Sequence, residues 1–424
     1  MSNGDSPPSN PSNPSGRSTT RVSGPSRGGA TVHVKYRTKI TSIQLTKLTY
    51  RTDHHLMMDN NLDWLNTGSL FAKPEWTLGN SCNPVSHSKN QPMALDLEFA
   101  VEPANAEETI ADVIGDAPLV QGLYNHLYYT FAATNKKFKG GTVTVTATLR
   151  TTPPDLVEIL GGDIAWSVKT RDDGPFDAGS STSHSIYFTM NTPVSAPGRE
   201  AGITQRRMRK SVTLVGQAKP DDPHAIAHYL QNLFPGYTLK PNPDLAQFNH
   251  PQYFAVGDQV ESGAGAWPAS DHFDEMAECQ AIIRFVRAAM LQVGCPGVMA
   301  VVVVWADPDS HAKVMEGNWG EGHGLGSVSK TVNGKRWEAA LLDDEVEEGD
   351  VLDPDGRVGF NNFEACLKLT YGGKTMYYGG GSGDYPTKEE VISGSFSSLC
   401  WYSVVTTTDG QVRNRIEKIV KNYK

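Results

Sequence analysis

The stretch AECQAIIRFVRAAMLQVGCPGVMAVVVVW, residues 277–305, leaves its backbone few options. Met276, Cys279, Ile282, Ile283, Val286, Met290 and Val293 recur at steps of three and four, the spacing of one face of a helix. Gly294 stands where a helix C-terminus accepts a left-handed residue, and Pro296 forbids continuation. Ala300 to Val304 then form a small and β-branched run that reads as a buried strand. Helix, sharp stop and strand are therefore predicted in that order. Cys279 falls at the head of the helix, where the positive end of the helix favours a thiolate. Two roles stay open for it: nucleophile, or buried structural thiol.

The rest of the chain divides by texture. Residues 1–30 are rich in Ser, Pro, Gly and Asn, with almost no apolar content, and are expected to form a disordered tail. From Thr31 to about residue 195 the signal is β. TVHVKY alternates; ALDLEFAV carries Leu95, Leu97 and Phe99 on one side; GGTVTVTATL carries Val143 and Val145; DIAWSV and HSIYFTM are further short strands. The clusters NPVSHSKNQP and KTRDDGPFDAGSS read as turns between them, so a β-sandwich-like domain is expected over 31–195. Beyond it, GITQRRMRKSVTLVGQA and PHAIAHYLQNLF read as helices, the second with Pro223 as its first residue after Asp222. Residues 306–358 read as an irregular Gly- and acid-rich stretch. Then come the strands NNFEACLKLTY and KTMYYGGG, a short helix near TKEEVI, the strand SLCWYSVVTT and a basic C-terminal helix. The fold class expected for 196–424 is α+β.

The net charge of −9 argues against a general nucleic-acid or anionic-membrane surface. Five cysteines with no Cys-x-x-Cys pair fit neither a disulfide framework nor a structural zinc site. The cytoplasm or another reducing compartment is expected, with signal-independent export left open. The longest apolar run, near Val298 to Ala306, is too short to span a bilayer. No cofactor or metal is expected. DDEVEEGDVLDPDGR, residues 343–357, holds eight carboxylates but has Val351 where a calcium loop needs an acid, so it reads as a solvated loop. YYGGGSG lacks the Lys-Ser/Thr ending of a phosphate loop. Trp305 and Trp401 read as strand packing rather than as a ligand groove.

The order of a cysteine-bearing helix, the turn LQVGCPG and a strand resembles the transglutaminase-like superfamily, whose core is papain-like. Ala277-Glu278-Cys279 fills that family's Gly-x-Cys segment, and Val293-Gly294-Cys295-Pro296 its Leu-Gly-Ile-Pro turn. The resemblance covers about residues 200–405. It implies a thiolate that attacks an amide or acyl carbon, a histidine on the next core strand as base, and an aspartate on the following strand to orient it. It places the histidine at the start of NNFEACLKL, where Asn361 and Asn362 stand, and the aspartate near Tyr378-Gly379. Without a base a thiol of pKa roughly 8.5 stays mostly protonated near neutrality. Asp271, Asp274, Glu275 and Glu278 disfavour the thiolate further.

The candidate catalytic positions are thus Cys279, Asn362 in the place of the base, and His323, a loop histidine in GNWGEGHGLGS that offers a substitute. His184 is assigned to a strand edge. The expected function is a non-catalytic or weakly active transglutaminase-like binding or scaffolding module that meets a peptide or protein. The competing classes are a cysteine-dependent amide hydrolase or acyl transferase, and a structural component of a bacterial secretion or surface assembly.

Overall fold

A computed structural model describes residues 36–51, 54, 56–59, 67–121, 125–150, 153, 155–197, 201–218, 221–233, 279–307, 324–332, 335–342, 363–380 and 383–395. By contacts the chain divides at Thr38, and the residues from Lys39 onward form one unit. The first half of that unit is β. Its strands are β1 (Ser42–Tyr50), β2 (Met57–Asp59), β3 (Thr67–Leu70), β4 (Trp76–Thr77), β5 (Val85–Ser88), β6 (Ala94–Glu102), β7 (Thr109–Gln121), β8 (Asn125–Phe138), β9 (Gly141–Leu149), β10 (Glu158–Thr170) and β11 (Gly174–Thr189). Nine of them form one sheet in the order β4-β1-β6-β9-β8-β7-β10-β11-β5, while β2 and β3 pair separately. Every neighbouring pair in the large sheet is antiparallel except β11 with β5.

Strict alternation drives this sheet. In β6, Leu95, Leu97, Phe99 and Val101 are buried while the residues between them are not. Each buried side chain of this kind stabilises the fold by about 1.5–3 kcal/mol, an upper bound that takes an extended chain as reference. The sheet curls. Tyr50, at the end of the second strand in the order, reaches His184 on the eighth with a 2.8 Å hydrogen bond.

The second half adds helices α1 (Gln205–Ala218), α2 (Pro223–Gln231) and α3 (Cys279–Gln292), and a fourth, α4, over 388–395. Its strands are β12 (Val298–Asp307), β13 (Gly324–Val332), β14 (Lys335–Leu342), β15 (Phe363–Tyr371), β16 (Lys374–Gly379) and β17 (Gly383–Tyr385). They make an antiparallel sheet in the order β13-β14-β12-β15-β16-β17. The chain is therefore a β-rich α+β protein. No described helix is long and apolar enough to cross a membrane.

Local signals hold where the physics is local. Asp222 caps α2, accepting from the His224 N–H at 3.0 Å, and Pro223 is the first helical residue. At the end of α3, Cys295 N–H donates to Met290 O and Gly294 N–H to Leu291 O, both at 2.9 Å, and Gly294 has φ +63°. That is a Schellman stop. A Cβ on Gly294 would lie 2.5 Å from Asn191 O, so the stop also lets the end of β11 dock here. Met190 N–H and Asn191 N–H both donate to Val293 O. Thr387 caps α4, accepting from Glu390 N–H at 3.2 Å, with its own hydroxyl donating to the Glu390 carboxylate.

Three readings need correction. KTRDDGPFDAGSS is a turn only at 171–173; β11 starts at Gly174 and runs through the rest, because β10 offers it a full-length partner. NPVSHSKNQP contains β5, whose strand character comes from its parallel neighbour β11. The stretch read as irregular contains β13 and β14, with Val332 paired to Lys335 across Asn333-Gly334. An Asn-Gly pair between strand-like runs was the available hairpin signal. The tail 1–30, TVHVK, the acidic loop 343–357, SLCWYSVVTT and the C-terminal helix lie outside the described residues.

Candidate functional site

Cys279 is the first described residue of α3. It is 0% exposed. The N–H of Ala365, the third residue of β15, donates to its Sγ at 3.5 Å. From the other side comes Gly380, immediately after β16, whose N–H donates to Ala365 O at 2.9 Å. A Cβ on Gly380 would lie 2.3 Å from Cys279 O and 2.5 Å from Cys279 Cα, so only glycine permits this approach. The start of β15 and the end of β16 thus converge on the helix head.

Surrounding α3 is an apolar shell. Met208, Val212 and Val215 of α1, Ile226 and Leu230 of α2, and Leu367 and Leu369 of β15 share one buried cluster with it. Tyr187 of β11 and Met190 just after it join the same cluster. Accordingly, α3 is buried more widely than one stripe: Phe285, Ala288 and Ala289 are as covered as Ile283 and Val286. Asn362 and His323, the other two candidate positions, lie outside the described residues.

Tyr378, where the family resemblance places an aspartate, is buried. Its hydroxyl donates to His224 O at 3.1 Å and lies 3.0 Å from His224 Nδ1. Burial, with Asp384 and Asp222 nearby, holds its pKa well above the ordinary phenol value. The carboxylate of this region, Asp384 of β17, instead pairs with Nδ1 of the exposed His228 on α2. Gln231 binds the same loop by donating to the carbonyls of Gly379 and Gly383.

A second cysteine has an imidazole beside it. Cys82 Sγ lies 3.3 Å from His184 Nδ1, the atom that also hydrogen-bonds the Tyr50 hydroxyl. His184 Nε2 lies 2.6 Å from Thr182 Oγ1, which accepts from Trp166 Nε1–H at 2.9 Å. The Tyr50 and Thr182 hydroxyls can each donate or accept, so they hold the neutral ring in either tautomer. His184 is therefore no edge decoration; it is 3% exposed, inside the curl of the large sheet. Burial pushes its pKa down to about 4 against a weaker upward pull from Asp163. Burial, with Glu75 adding to it, pushes Cys82 up to about 12. Both groups are neutral near pH 7, so the pair is a hydrogen-bond hub rather than a thiolate–imidazolium couple. Burial likewise raises Cys295 to about 12, and raises Cys366 far above the ordinary thiol.

A cleft of about 820 Å³ opens elsewhere, where the β5–β11 end of the large sheet meets the β15–β16 hairpin. Lys89, Asn191, Asp221, Pro296 and Tyr371 are among its walls. Lys89 Nζ bonds Asp221 at 2.5 Å and Asp155 at 3.2 Å. Burial opposes the charge of Lys89, but these two carboxylates outweigh it and hold the pKa above the ordinary lysine value. Asn90 and Lys89 hold the Asp155 carboxyl below its usual range. Among the described residues, no group of three or more His, Cys, Asp or Glu side chains is arranged to hold a metal ion. No protein-family model matches this chain, and no curated protein matches it in sequence.

Proposed function

We propose that this chain is a transglutaminase-like protein whose papain-like core, over residues 196–424, follows a β-sandwich-like domain over 31–195, and that it works as a binding or scaffolding module without catalysis at Cys279. The observation that carries this reading is the setting of Cys279. Its sulfur is shut from solvent and receives a backbone N–H from β15 at 3.5 Å. The strand that would bring a base begins one residue after Asn362, and an amide cannot take and return a proton. The strand after it ends on Tyr378-Gly379, whose hydroxyl and backbone serve α2 instead. What supports the family reading is geometric order: helix head, start of β15 and end of β16 meet at one point, as the resemblance requires of cysteine, base and orienter.

Iodoacetamide labelling of the native protein, with the modified sites read by mass spectrometry, tests this. Cys279 is expected to stay unmodified across pH 6–9 in the native state and to react once the protein is unfolded. Rapid, pH-dependent alkylation of Cys279 in the folded protein would overturn the reading in favour of a cysteine hydrolase or acyl transferase.

A further inference from the structure

We propose that the cleft walled by Tyr371 is a binding site for a neutral oligosaccharide. Its volume of about 820 Å³ holds several sugar rings. Among its lining residues, Lys89 and Asp221 are bonded to each other at 2.5 Å, so neither is presented as a lone charge to a ligand. What remains is mixed: Ser88, Asn90, Gln91, Asn191 and Thr192 are neutral and polar, and two histidines, two prolines, a methionine and Tyr371 make up the rest. Hydroxyl and amide side chains offer donors and acceptors in similar numbers, which is the complement of a polyhydroxylated molecule rather than of an ion. Two of the amides are already fixed. Asn191 Nδ2 donates to Gly294 O at 2.9 Å and Asn90 Nδ2 to Asp155 at 2.5 Å, and each amide retains its Oδ1 as an acceptor. Held side chains lose little entropy when a ligand binds.

Tyr371 supplies the other half of the recognition. It is 39% exposed although it ends a strand in which Ala365, Cys366, Leu367 and Leu369 are buried. Its Cβ packs close to Gly297, and its ring lies 6.4 Å from that of His224, so the ring is braced from the protein side. A braced, half-exposed aromatic beside neutral polar groups suits a sugar, which has one C–H face to lay on the ring and hydroxyls at its edge for the amides. This site is independent of Cys279, and its failure would leave the reading of that residue untouched.

Isothermal titration of the full chain with cellohexaose, chitohexaose and maltohexaose tests the proposal, with hexagalacturonate and hexalysine as charged comparisons. At least one neutral hexasaccharide is expected to bind, and to do so equally in low and high salt, since no net charge is paired. Tyr371→Ala is expected to weaken that binding about tenfold or more, and Tyr371→Phe to keep it within about twofold. Gln91→Ala, a change away from the core, is expected to weaken it as well and stands in if Tyr371→Ala fails to fold. Binding of none of the three neutral sugars, binding unchanged by both Tyr371→Ala and Gln91→Ala, or tighter binding of either charged chain would overturn it.

Discussion

Cys82 and Cys279 pose the same question in two parts of the molecule and receive different answers. Cys279 has the local context of a nucleophile, a helix head, and meets a backbone amide there. Cys82 has no such context, yet an imidazole nitrogen lies 3.3 Å from its sulfur. The arrangement at Cys82 does not arm its thiol. Around Cys82 the buried site disfavours both the thiolate and the imidazolium, so the proton stays on sulfur and the ring closes a network with Tyr50, Thr182 and Trp166. Proximity of cysteine and histidine is thus not chemistry until the electrostatics favour separated charge. The large sheet uses its cysteine–histidine pair to hold a curl; in the helical layer Cys279 lies buried against Ala365 of β15.

The comparison breaks most directly at His184. His184→Ala removes the hydrogen-bond partner of the Tyr50 hydroxyl and leaves a hole in the core, and is expected to lower the unfolding free energy by about 4 kcal/mol in urea titrations. A loss under about 1 kcal/mol would reduce the hub to ordinary packing. Acid sharpens the same point. The pKa of His184 is about 4 in the folded chain against 6.5 ordinarily, so on acidification the unfolded chain takes up the proton first. The stability due to this neutral imidazole is complete above pH 6.5 and is lost as pH falls from there through 4, by about 3 kcal/mol in total. The His184→Leu protein should lack that part of the pH dependence in thermal melts. The smallest effect belongs to the helical layer. Gly380→Ala drives a Cβ into the backbone of Cys279 and is expected to cost about 2 kcal/mol. An undiminished unfolding midpoint for that variant would mean that helix head and strand end are not in register.

The sequence by itself determined what depends on neighbours along the chain. Helix, Gly294 stop and buried strand over 279–304, the Asp222-Pro223 start of α2, and the inward residues of β6 all follow from spacing and from what individual residues do to backbone angles. It missed β13 and β14 although Asn-Gly stands between them, and it missed the true length of β11, whose Gly-, Ser- and Asp-bearing start becomes strand only when a partner supplies the ladder. The pairings that define the candidate sites belong to the tertiary structure alone. Tyr50 meets His184 across 134 positions, Lys89 meets Asp221 across 132, and His228 meets Asp384 across 156. Such contacts depend on how twist accumulates over many strands and where one sheet docks on another, a sum of small geometric terms that no residue type or local spacing records.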